Sequence, residues 1–146
     1  MLELLNIQIR GIDRKIRLLN ISRKNSVLLQ SIPGIGKFGS LLIEAEIGDI
    51  RRFCDPKSLV SYAGLCPGIY QSGDKSKTVA SKACNKYLKW IMYECSGRAI
   101  MMQTKYMKHY YKVKARKGKQ IARRSAARKM LTDIWYVMKN ETPYNS

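Results

Sequence analysis

Ser72 is the residue of this sequence with the sharpest chemistry. It stands in Tyr70-Gln71-Ser72-Gly73, where Gly73 lets the backbone approach a ligand closely, and Lys75, Lys77 and Lys82 follow nearby. A serine hydroxyl attacks phosphorus when cations hold the phosphate and stabilise the charge that develops. A serine in a turn is equally an ordinary turn former, and on these residues alone both readings stand. The acidic residues offer less. Two-metal phosphoryl transfer needs several converging carboxylates, and Glu44 and Glu46, two apart on a helix, face different ways. Cys54, Cys66, Cys84 and Cys95 form no C-x-x-C pair and His109 is the single histidine, so the expectation is four reduced cysteines serving as small core hydrophobes, with no metal site in the chain.

A second group of residues is suited to binding. From Ser26 the chain reads SVLLQSIPGIGKFGSLLIEAEIGDI, an apolar helix, a Pro-Gly-Ile-Gly turn and another helix. This fits a helix-hairpin-helix element around Ile32 to Gly36. Gly34 and Gly36 permit a tight turn with backbone N–H groups facing outward at a helix N-terminus, which is an anion site for a phosphate. Ile35 plugs inward and anchors the turn, while Lys37 adds a charge-assisted contact. Such a device tracks the nucleic-acid backbone and carries little sequence information. The bland alternative is a plain connection between two helices.

Charge supports the binding reading. The 146 residues carry 28 Lys+Arg against 10 Asp+Glu, a net charge of +18, and an excess of this size calls for a polyanion. No acidic residue lies between Glu94 and Asp133, a stretch that includes Arg116, Lys117, Lys119, Arg123 and Arg124. Tyr106, Tyr110 and Tyr111 are interleaved with these cations, in positions to stack on exposed bases or sugars. Solvated helix faces normally mix signs, and this block does not. A membrane surface is the competing polyanion, but it is usually met by one basic amphipathic helix, whereas here the charge is spread along most of the chain. No apolar run approaches the ~20 residues that span a bilayer, and the N-terminus lacks a signal-peptide pattern. The expectation is a cytoplasmic, nucleoid-associated protein without membrane contact.

The elements that must position these residues are helical. Leu2, Leu5, Ile9, Ile12, Ile16 and Leu19 recur three or four apart, an a/d seam that makes residues 1–22 a coiled-coil segment favouring two strands. The alternative is a helix packed on its own domain. Asp55 and Pro56 begin a short helix that stops at Gly64. The stretch from Pro67 to Ala80 has turn residues at both ends and no helical period, which predicts a long functional loop or small hairpin. Ser81 caps a helix running to about Thr104 with Leu88, Ile91, Met92 and Cys95 inward. A last helix from near Gln120 to Asn140 turns Ala127, Met130, Leu131, Ile134 and Met138 inward. The fold class is mainly α, with residues 23–146 as one helical domain.

The text from Leu28, LLQSIPGIGKFGSLLIEAEIGDIRRFCDPKSLVSYAGLCPGIYQSGDKSK, followed by SKACNKYLKWIMYE, resembles the C-terminal domain of the one-ten family of insertion-sequence transposases, the group that includes the Piv/MooV DNA invertases. The resemblance implies that Ser72 is a nucleophile forming a covalent phosphoserine link to DNA, with Gly73 beside it. Ser81, Lys82 and Asn85 fit the family's S-K-x-G-N segment, although Cys84 stands where the family has glycine and Thr78-Val79-Ala80 replaces an arginine-glycine step. It further implies an RuvC-like domain holding Mg2+ that precedes the coiled coil and that this chain lacks. The implied partners are DNA, a structured guide RNA, and further copies of the chain, as a homodimer or higher, through the N-terminal helix. Under this reading Gly34, Ile35, Gly36, Lys37, Gly73, Lys75, Lys77, Lys82, Asn85, Arg116, Lys117, Lys119, Arg123 and Arg124 form the DNA-backbone contact set. The alternative is a stand-alone helix-hairpin-helix nucleic-acid-binding protein without catalysis.

Overall fold

The computed structural model describes residues 1–21, 23–66, 69–70, 77–78 and 84–145. Its elements are α1 (Leu2–Ile21), α2 (Lys24–Leu29), α3 (Lys37–Ile47), a 3-10 turn (Ile50–Arg52), α4 (Pro56–Tyr62), the two-residue strands β1 (Ile69–Tyr70) and β2 (Lys77–Thr78), α5 (Lys86–Met101), α6 (Lys105–Lys117) and α7 (Lys119–Asn140). The mainly α class is thus correct, and no described helix is long and apolar enough to cross a membrane.

α7 is the central helix, packing against α2, α4, α5 and α6. Its sequence explains this placement. Ala122, Ala126, Ala127, Met130, Leu131, Ile134, Trp135, Val137 and Met138 are all buried, and so wide an apolar face is covered only when neighbours surround the helix. Truncating Leu131 or Ile134 to alanine should cost about 2–5 kcal/mol. Trp135 buries its ring and donates from Nε1 to the Phe53 carbonyl at 3.2 Å, tying α7 to the chain that enters α4. Ala122 and Ala126 pack with Tyr110, Ile100 and Val113 in a satellite cluster that holds α6 close against α7.

The helix boundaries follow local chemistry. Asp55 accepts from the Ser58 amide at 2.7 Å and Pro56 opens α4. Gly64, at φ +66°, ends it, and Gly118, at φ +82°, separates α6 from α7. The start of α5 corrects the expectation of a cap at Ser81. That residue lies outside the described set, and the observed N-cap is Asn85, whose side-chain oxygen accepts from the Leu88 amide at 2.9 Å. α6 replaces what the sequence showed only as a charged block. Tyr106 and Tyr110, four apart, lie on the face turned to α7 and are buried, so they do not stand ready to stack on bases. Tyr111 is exposed. The cysteines also depart from expectation. Cys95 is buried, and burial pushes its thiol up to about 11, but Cys54 and Cys66 are exposed and Cys84 is half-buried.

α1 runs through Gly11 as one helix and contacts α2 and α3. Leu2, Leu5, Ile9, Ile12 and Leu19 of the seam are exposed, while Ile16 is half-buried.

Candidate nucleic-acid interface

The Pro-Gly-Ile-Gly turn joins α2 to α3. Ile32 and Ile35 are buried in the main core, and the Ile35 amide donates to the Ile32 carbonyl at 3.1 Å to close the turn. Ile35 is therefore an anchor without an exposed surface. Gly34 adopts φ +92°, and a Cβ on it would meet the Cys95 carbonyl oxygen at 2.5 Å and the Ala99 amide at 2.8 Å. Its missing side chain makes room for α5. Gly36 is different: it is the N-cap of α3, in extended backbone with no side chain to bond the first-turn amides. The nearest atom to a Cβ there is an Arg98 guanidinium nitrogen at 3.8 Å. Lys37 follows, exposed. The start of α3 thus presents a positive helix end with two cationic side chains beside it.

At its other end α3 holds the root of the serine segment. Glu46 accepts from the Asn85 side-chain amide at 2.6 Å, the Tyr62 hydroxyl is 3.0 Å from that same amide, and the Asn85 backbone amide donates to the Tyr62 carbonyl at 2.9 Å. The hydrogen bond to Asn85, then that to Arg52, holds the Tyr62 hydroxyl below its ordinary value. Arg52 also lies 4.8 Å from the centre of the Tyr62 ring. Asn85 was expected on the nucleic-acid backbone, yet its side chain is engaged within the fold at both ends. Cys84 packs directly on Gly64, where a Cβ would lie 2.5 Å from the Cys84 Cβ. The chain leaving α4 and the chain entering α5 therefore meet.

Between these meeting points lies the candidate catalytic segment. β1 and β2 pair antiparallel with Ile69 opposite Thr78 and Tyr70 opposite Lys77, so the backbones flanking positions 71–76 come together. Ser72, Gly73, Lys75, Ser81 and Lys82 lie outside the described residues, and of Lys77 only the backbone pairing is described. On the entering side Arg128 of α7 reaches the segment's root, donating from Nε to the Leu65 carbonyl at 3.3 Å.

Arg128 also belongs to the basic hairpin made by α6 and α7. Arg116, Lys117, Lys119 and Arg123 are exposed around the Gly118 turn, and Arg124 is half-buried with a buried Nε that has no hydrogen-bond partner. Arg116, Lys117, Ser125 and Arg128 line a groove of about 230 Å³ between the two helices. Beneath them the His109 Nε2 and the Ser125 hydroxyl are 2.7 Å apart. Burial lowers the His109 pKa, and Lys129, Arg128 and Lys112 lower it further. Lys105, by contrast, is engaged inside the fold, 3.4 Å from an Asp133 oxygen and over the Tyr144 ring at 4.4 Å. Neither Arg128 reaching Leu65 nor Arg98 lying beside Gly36 is legible in the sequence, because each contact joins positions far apart in the chain.

Among the described residues no three His, Cys, Asp or Glu side chains converge as a metal ion would require. Glu46 is held by Asn85, Asp133 by Tyr106 and Lys105, and Asp55 by its own helix start. This donor set does not fit a Mg2+ site.

Comparison with known proteins gives the arrangement its context. The chain is 27% identical over 140 residues to the 44.8 kDa protein of insertion element IS116 from Streptomyces clavuligerus, covering 94% of this chain and 35% of that protein. It is 33% identical over 78 residues to the transposase for insertion sequence element IS1111A of Coxiella burnetii, covering 53% of this chain and 21% of that one. The chain therefore spans about a third or less of the length of these relatives. A family model for the IS116/IS110/IS902 transposases matches residues 26–112, which include the turn at Gly34, the segment around Ser72, α5 and most of α6. With more than half of its length matched, the chain belongs to the IS116/IS110/IS902 family of transposases.

Proposed function

We propose that this chain is the DNA-binding, serine-bearing part of an insertion-sequence transposase and takes part in cleaving and rejoining DNA strands. The observation that carries the reading is the pair of anchors at the root of the Ser72 segment. Arg128 links that root to the basic α6–α7 hairpin, and Asn85 and Glu46 link it to α3, whose far end begins at the Gly36 turn. At 1.5 Å per residue, Lys37 and Glu46 are about 14 Å apart along the α3 axis. A nucleic-acid backbone tracked by the turn and the basic hairpin therefore passes near Leu65 and Asn85, between which the serine segment is carried. In this role Ser72 Oγ loses its proton and forms the bond to phosphorus, the bond from phosphorus to the neighbouring sugar oxygen breaks, and that leaving oxygen takes up a proton, so the exchange of one phosphodiester for another balances. Lys75, Lys77 and Lys82 offset the developing charge.

Mg2+, on this reading, is held by carboxylates of an RuvC-like domain that the described residues do not include. The chain by itself then binds DNA without cutting it. The exposed seam of α1 pairs with the same seam of another copy, and a structured guide RNA is a second polyanion for the basic surface.

The experiment is adduct trapping in a full-length protein that combines this chain with the RuvC-like domain. Wild type should yield a covalent protein–DNA species that Ser72→Ala abolishes. An undiminished adduct in Ser72→Ala removes that residue from the nucleophile role.

A further inference from the structure

A groove of about 180 Å³ lies between the start of α3 and the middle of α5. Its floor is closed by Gly39, Ile91 and Cys95, and a Cβ on Gly39 would come 3.0 Å from Cys95 Sγ. Its walls are aromatic. Phe38 from α3 and Trp90 from α5 both line it, and they remain 51% and 50% exposed. Along α5, Trp90, Glu94 and Arg98 follow at four-residue intervals and so form one stripe facing the groove. Lys37 and Arg98 supply positive charge at the end nearer Gly36.

We infer that this groove seats one unstacked base of a single-stranded nucleic acid, between Phe38 and Trp90, with its edge toward Glu94 and its flanking phosphates toward Lys37 and Arg98. The inference rests on the nucleic-acid reading proposed above and specifies the strand state that the site takes. The carboxylate decides what enters. Glu94 repels a phosphate inside the groove, but it accepts hydrogen bonds from the N–H groups that bases carry on their edges. The aromatic walls decide the strand state. Base faces in a duplex are covered by their neighbours, whereas an unpaired base offers both faces for stacking. Phe38 comes from α3 and Trp90 from α5, so the two helices that border this one small groove each present a half-exposed aromatic ring to it.

Tryptophan emission tests this directly. The chain has two tryptophans, and Trp135 is 8% exposed with its Nε1 bonded to Phe53, so Trp90 is the one open to a ligand. Titrating the chain with oligothymidylate at low salt should quench the Trp90 emission. Binding of the same oligonucleotide, labelled and followed by anisotropy, should weaken about 5- to 150-fold in Trp90→Ala and in the same direction in Phe38→Ala. Tyr136→Ala removes an equally exposed aromatic outside the groove and should leave binding unchanged. Both groove residues are half-exposed, so thermal unfolding should confirm that the variants stay folded. A parallel titration with oligouridylate separates DNA from RNA as the source of the base. If duplex DNA binds while oligothymidylate and oligouridylate both leave Trp90 unquenched, the base site is wrong and the nucleic-acid reading survives. If neither duplex nor single strands bind at low salt, both fall.

Discussion

Gly34 and Cys95 approach so closely that a methyl group on Gly34 would sit 2.5 Å from the Cys95 carbonyl oxygen. Together with φ +92° at Gly34, this makes the first glycine of the turn a packing residue. Gly34→Ala should destabilise the domain by about 2–5 kcal/mol, from the left-handed backbone and the forced separation of α3 from α5. Gly36 has extended backbone, and a Cβ there would make only an ordinary contact, 3.8 Å from the flexible Arg98 guanidinium, so Gly36→Ala should stay within about 1 kcal/mol of wild type. Urea unfolding of the two variants checks the contrast. Equal losses at both positions would mean that α5 does not press on the turn as described.

Asn85 performs two tasks, capping α5 through its oxygen and bonding Glu46 and Tyr62 through its amide. Asn85→Ala should lower stability by about 1–3 kcal/mol and, in the full-length protein, reduce adduct formation at Ser72 without abolishing it. Asn85→Asp keeps the cap but sets a second carboxylate against Glu46. Its stability should recover as pH falls and one of the two takes a proton. Chemical denaturation at pH 7 and pH 5 reads the difference.

His109 should report ligand binding through its own titration. Burial, Lys129, Arg128 and Lys112 all lower its pKa in the folded chain relative to an unfolded value of roughly 6.5. The unfolded chain therefore takes up the proton first as pH falls. The stability contributed by the neutral ring is complete above roughly pH 6.5 and is lost as pH drops through that value toward the folded pKa. A polyanion lying on Arg128, Lys129 and Lys112 offsets those charges and should raise the midpoint. Because His109 is the single histidine, its ring resonances follow this without assignment ambiguity. An unmoved midpoint at saturating DNA would place the ligand elsewhere. His109→Gln should remove the pH slope in this window.

The sequence made much of this arrangement legible, and the limits are physical. Helical spacing alone identified the inward residues of α7 and α5, since burial follows a 3.6-residue period that Met130, Leu131, Ile134, Leu88 and Met92 obey. Asp55-Pro56 and Gly64 announced α4 because capping is local chemistry. The tyrosines of α6 misled for the opposite reason. The charged residues around them are all cationic, and the partners that bury them, among them Asp133 on α7 for Tyr106 and Ala122 and Ala126 for Tyr110, lie distant in the chain. Asn85 matched a motif by type, but whether its amide faces a ligand or Glu46 is decided by a contact across 39 positions. The division of labour between Gly34 and Gly36 was likewise invisible, because a turn pattern does not say which glycine a third helix touches.

The basic hairpin offers the most quantitative check on nucleic-acid binding. Arg116, Lys117 and Lys119 are exposed around the Gly118 turn and have no acidic partner within ion-pair distance among the described residues. Each such cation that meets a duplex phosphate releases counterions and adds about 0.9 to the slope of log affinity against log salt. Replacing all three by glutamine should therefore lower that slope by about 3 and weaken binding to every duplex sequence alike, with little change in stability because none of the side chains is buried. Arg128→Gln should behave differently. Besides any phosphate contact it loses the bond to the Leu65 carbonyl, so it should impair adduct formation in the full-length protein more than it impairs binding. A triple variant with an unchanged salt slope would move the contact surface away from the α6–α7 hairpin.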